Sequence, residues 1–60
     1  MFIEITTKSG TTLVNTRYVS KFVQPGGETY AVVHFSNGEP MRLDDAAQIA
    51  HIRALLLTQG

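Results

Sequence analysis

The most constraining stretch of this chain is its C-terminal segment, where residues 45–59 read DAAQIAHIRALLLTQ. At about 100° per residue of an α-helix, Ile49, Ile52 and Leu56 form one bulky apolar stripe. Ala46, Ala47, Ala50, Ala54 and Leu57 form a second stripe around the other side. Arg53 separates the two on one flank, and Gln48, His51 and Thr58, interrupted by Leu55, lie on the other. A helix that is apolar on every side is normally buried on every side. One stripe can pack on the chain's own sheet, and the other then needs a different partner. The bulky stripe suits the irregular inner face of a curved sheet, so Ile49, Ile52 and Leu56 are the expected core face. The small stripe lets another backbone approach closely, which makes Ala46, Ala47, Ala50, Ala54 and Leu57 the candidate oligomer interface. Alanine is also the best intrinsic helix former, so Leu57, with Leu55 beside it, carries most of that case.

Size points the same way. Sixty residues make one small domain, and a domain that short buries only about 60% of its unfolded surface. Small folds usually add disulfides, a metal or further subunits. There is no cysteine, which excludes disulfides and thiolate metal sites. His34 and His51 alone are a thin basis for a metal, so the expectation is no metal and no cofactor. The formal net charge is zero, whereas a nucleic-acid binder gains much of its affinity from a basic excess. Glu4 and Lys8 interrupt the N-terminal segment and no apolar run follows, so no signal peptide is expected. No stretch reaches the roughly 20 apolar residues of a membrane span. Together these features predict a cytoplasmic protein with no membrane partner.

The rest of the chain reads as strands. Phe2-Ile3-Glu4-Ile5-Thr6 alternates, with Ile3 and Ile5 on one face, and residues 2–7 are the first expected strand. Ser9-Gly10 breaks it, and residues 11–15 read as the return strand of a hairpin. Asn15 then caps a brief turn, Thr16-Arg17-Tyr18. A third strand over residues 19–24 is expected to place Val19 and Val23 opposite Phe22. Pro25-Gly26-Gly27-Glu28 is a turn. Residues 29–35, TYAVVHF, are apolar on both faces except at His34 and read as a central strand covered on both sides. Asn37-Gly38 is the strongest short hairpin signal, and residues 40–43 form the return strand, with Pro40 at its start. A helix over residues 45–58 follows, with Asp45 and Gln48 at the spacing of a capping box and Asp44 as the competing cap. The expected fold is therefore mainly β (α+β): a five-stranded antiparallel meander, curved or partly closed into a barrel, with one C-terminal α-helix.

This frame resembles the small FlbD-like proteins of bacterial flagellar operons, which include the swarming protein SwrD. The resemblance lies in the opening strand (FIEITTKSG), the return strand closing on asparagine (TTLVN) and the apolar pair Tyr18-Val19. The Asn-Gly hairpin (FSNGEPMRL) and the C-terminal helix extend it over nearly the whole chain. Members commonly carry a lysine-rich segment after the last hairpin, where this chain has Met41-Arg42-Leu43-Asp44-Asp45. Similar short proteins also occur in phage genomes. The resemblance implies the fold and a non-catalytic role, and it brings no catalytic residue.

Candidate chemistry along the chain is sparse. His51 shares a helix face with Asp44 and Gln48, but two of these three are poor zinc ligands or cap residues. Asp44 and Asp45 are adjacent, and adjacent residues on a helix do not face each other. The Pro25-Gly26-Gly27 loop lacks the lysine and the following helix of a phosphate-binding loop. Ser20 has no base partner. Arg17, Lys21 and Arg42, with Tyr18 and Tyr30 as stacking surface, are the candidate anion or ligand site; scattered solubilising charge is the competing explanation.

The expected function is that of a non-enzymatic, homo-oligomeric interaction or regulatory protein that binds itself and another protein. The first alternative is an oligomer that holds or sequesters a nucleotide or other small anionic ligand, as a phage protein can. The second is a β-rich nucleic-acid-binding regulator. An enzyme is not expected.

Overall fold

In the computed structural model, which describes residues 1–59, strands β1 (Phe2–Thr7), β2 (Gly10–Asn15), β3 (Val19–Val23), β4 (Ala31–Phe35) and β5 (Met41–Leu43) precede one helix, α1 (Ala46–Gln59). Gly60 lies outside the described residues. All strand pairs are antiparallel, but they do not form one meander. β1 and β2 make a two-stranded sheet, and β3, β4 and β5 make a separate three-stranded sheet with β4 in the middle. The described strands close no barrel.

The break between the sheets has a local cause. Asn15 caps a single 3-10 turn over Thr16–Tyr18, its side chain accepting from the Arg17 N–H at 3.1 Å. Thr16, which is buried, ties this turn back to the start of the chain: its N–H and its hydroxyl both donate to the Met1 carbonyl, at 2.8 and 2.9 Å. The turn carries the chain out of the first sheet, so β3 starts a new one.

The two sheets and the helix share one core. Ile3, Ile5 and Val14 come from the first sheet, Ala31, Val33 and Leu43 from the second, and Ile49 and Ile52 from α1. Ile5, Ala31, Val33 and Ile52 are wholly inaccessible. The period-2 alternation of β1 puts Ile3 and Ile5 on this inner face and leaves Phe2, Glu4 and Thr6 outside. Burying an isoleucine or leucine side chain stabilises by roughly 1.5–3 kcal/mol, so few residues carry most of the stability of so small a core.

Three local expectations need correction. Val19 packs on the core with Phe22 rather than opposite it. A bulge at Ser20 shifts the register, so Val19 pairs with Phe35 but Lys21 pairs with His34; the extra residue turns Val19 onto the Phe22 face. β4 is central by pairing but covered on one face only: Ala31 and Val33 are buried, whereas Val32 and His34 on the other face are half-buried. Finally, Asn37-Gly38 does not form a tight two-residue hairpin, because neither residue has a positive φ, which the favoured hairpin turns require. Pro40 has no N–H with which to extend the ladder, and residues 36–40 form a longer loop before Met41 pairs with Val33. The Pro25–Glu28 turn is tight, with Glu28 N–H bonded to the Pro25 carbonyl at 3.2 Å and Gly27 at φ +80°.

Candidate self-association surface

Helix α1 is started by Asp45, not Asp44. The Asp45 carboxylate accepts from the Gln48 N–H at 2.9 Å, and its carbonyl accepts the first intrahelical bond, from Ile49. Asp44 is instead paired with Arg42, Nε to Oδ1, at 2.9 Å. The expected capping box is only half formed, because the Gln48 side chain does not return to the cap. It crosses to β1, where Oε1 accepts from the Thr6 N–H at 2.6 Å and Nε2 donates to the Thr6 carbonyl at 2.7 Å. One primary amide thereby satisfies both peptide groups of a strand edge, as a neighbouring strand would.

This clamp and the core fix the rotation of the helix. Ile49 and Ile52 face inward and are buried, and Leu55 and Leu56 are half-buried against the same core. Ala46, Ala47, Ala50 and Ala54 are exposed, and Leu57 is 64% exposed. The small stripe is thus the outer face of the helix.

Beside that face runs an open groove of about 620 Å³, between α1 and the β3–β4 connection. Its helix wall is formed by Ala46, Ile49, Ala50, Ala54 and Leu57, and its opposite wall by Gln24, Glu28 and Thr29. Arg53 on the helix and Glu28 on the loop put one charge of each sign on the groove. A smaller cleft of about 240 Å³, lined by Phe22, Arg53, Leu56 and Leu57, shares Leu57 and Arg53 with it.

The residues singled out for anion binding are dispersed over several elements. Arg17 and Tyr18 sit on the 3-10 turn and are exposed. Lys21 lies on the outer face of the three-stranded sheet, opposite His34 in the ladder, and Arg42 lies on the same face opposite Val32. Arg42 stacks on Tyr30, 4.2 Å from the ring centroid, while it pairs with Asp44. Its charge is therefore matched inside the chain. His51 is exposed on the helix, and among the described residues no group of three or more His, Cys, Asp or Glu side chains is placed to hold a metal ion. Among the described residues, no helix is long and apolar enough to cross a membrane.

Two features of this region leave no mark in the sequence. Gln48 gave no sign that its amide would cross to a strand, since its spacing from Asp45 fits a capping box. The loop wall of the groove was equally hidden, because Gln24, Glu28 and Thr29 reach the helix only through the tertiary fold.

Comparison with protein-family models, with curated proteins and with solved structures finds no match to this chain.

Proposed function

We propose that this chain is a non-enzymatic interaction protein that works as a homo-oligomer, with the outer face of α1 as the contact between subunits. The observation that carries this reading is Leu57, a large apolar side chain 64% exposed at the end of an alanine stripe and bordering both clefts. Isolated surface leucines are ordinary, but one set on a continuous small-residue helix face next to an open groove is a site for close helix approach. Helices separated by such residues pack with axes about 8–10 Å apart.

A second copy fits this surface by its chemistry. Glu28 and Arg53 put one charge of each sign on the groove, a pattern that the same groove of a second copy can complement. The contact area of a stable complex is about 800 Å² per partner, close to a fifth of the 4251 Å² that this chain exposes. The resemblance to FlbD-like proteins agrees with an adaptor or regulatory role that acts through another protein, in a cytoplasmic setting.

The small-anion alternative draws on Arg17, Lys21 and Arg42 with Tyr18 and Tyr30, but these are dispersed over several elements and Arg42 is already engaged by Asp44 and Tyr30. Light scattering tests the leading reading. At high micromolar concentration the expected mass is at least twice the chain's 6.6 kDa, and a monomer mass under those conditions contradicts it.

A further inference from the structure

The two edges of the first sheet are treated differently by the fold. On β1, Thr6 turns its N–H and C=O away from β2, and Gln48 occupies both. Met1, by contrast, turns its carbonyl toward the end of β2, where Thr16 donates to it. Even-numbered peptide groups of β1 therefore face outward and odd-numbered ones face β2. Ile3 pairs with Val14 and Ile5 with Thr12, so it is Thr11 and Leu13 on β2 whose peptide groups point away from the sheet. β2 pairs with β1 alone, and among the described residues no other segment hydrogen-bonds to the Thr11 or Leu13 backbone.

Natural sheets protect such an edge with a lysine, a proline or a covering element. The β2 sequence, GTTLVN, holds neither a charge nor a proline. Thr11, Thr12 and Leu13 are all exposed, Leu13 at 66%. Phe2, 65% exposed, lies on the same outer face as Leu13 and one diagonal step away.

We propose that the open edge of β2 pairs with the same edge of a second copy, antiparallel about a two-fold axis at Leu13, to make a continuous four-stranded sheet. The edge is self-complementary in that register. Leu13 faces Leu13 of the second copy, and each Thr11 faces an Asn15. The inner-face residues Thr12 and Val14 face each other, a β-branched pair that suits a pleated surface. No like charges are opposed, since β2 has none. The Leu13 N–H and C=O gain partners of the kind Gln48 already supplies to Thr6. This contact is separate from the outer face of α1, and two different two-fold contacts on one chain build assemblies of more than two copies.

Amide hydrogen exchange resolved by residue, on the full chain over a range of concentrations, tests the pairing. The Leu13 amide is expected to exchange at least about tenfold more slowly at high than at low concentration, while the outward Glu4 amide of β1 does not follow it. L13K sets two like charges opposite each other and should abolish both the protection and the matching share of the mass. L13T, which keeps a strand-forming residue without the leucine pair, should weaken both. L57E should reduce the mass yet leave the Leu13 protection in place, which separates this edge from the helix face. A Leu13 amide that exchanges rapidly at every concentration overturns the proposal, as does an L13K chain whose mass equals that of the wild type.

Discussion

The two apolar faces of α1 alternate with polar residues along one short segment, and the fold leaves them in opposite states, one buried and one exposed. The inner face carries bulky isoleucines and leucines, and Ile49 and Ile52 fill the space between two sheets. The outer face carries alanines and one exposed leucine, and nothing in the described chain covers it. The difference lies in side-chain volume rather than in polarity. A core between irregular sheets needs volume to reach close packing, whereas a contact between subunits needs a low ridge that a second backbone can approach. On the proposed reading, a helix without a marked polar face serves a small chain twice, folding on one side and assembling on the other.

The sharpest way to break this contrast is to empty the inner face. Ile52→Ala removes a wholly buried side chain and is expected to cost about 2–5 kcal/mol, enough to unfold much of a marginal domain. Chemical denaturation followed by circular dichroism measures it; a loss under about 1 kcal/mol would mean that Ile52 is not a core residue. The clamp between the two faces comes next. Gln48→Ala strips both partners from the Thr6 peptide groups and should cost about 1–2 kcal/mol. It should also speed exchange of the Thr6 amide more than that of Ile5, which faces β2. The helix start follows, with Asp45→Ala expected to cost about 1 kcal/mol and Asp44→Ala distinctly less, because Asp44 is paired with exposed Arg42 outside the helix. Equal effects of the two substitutions would contradict the assignment of the cap. The smallest effect on folding belongs to the outer face, where Leu57→Glu should change the stability of the monomer fold by no more than about 0.5 kcal/mol.

The contrast between faces was legible in the sequence because it rests on a local period. Spacing alone separates Ile49, Ile52 and Leu56 from the alanines, and the same kind of reasoning finds five strands and a helix in their order. The features that depend on meetings between distant segments were not legible. Nothing near Ser20 announces the bulge, yet one extra residue reverses the side on which Val19 packs. The split into two sheets follows from Thr16 returning to Met1, a bond across fifteen positions. Asn37-Gly38 carries a strong turn signal, but the proline that follows lengthens the loop. Gln48 shows the limit most clearly, since a residue placed for a local cap is recruited by a strand 42 positions away.

The outer face of α1 is the proposed contact between one copy of the chain and another. Sedimentation velocity on the wild type and Leu57→Glu, side by side at the same high micromolar concentration, tests it most directly. The wild type is expected to sediment as an assembly of two or more copies, and the variant, folded by circular dichroism, as a smaller species. A wild type that is monomeric, or a variant whose sedimentation matches the assembled wild type, would contradict it.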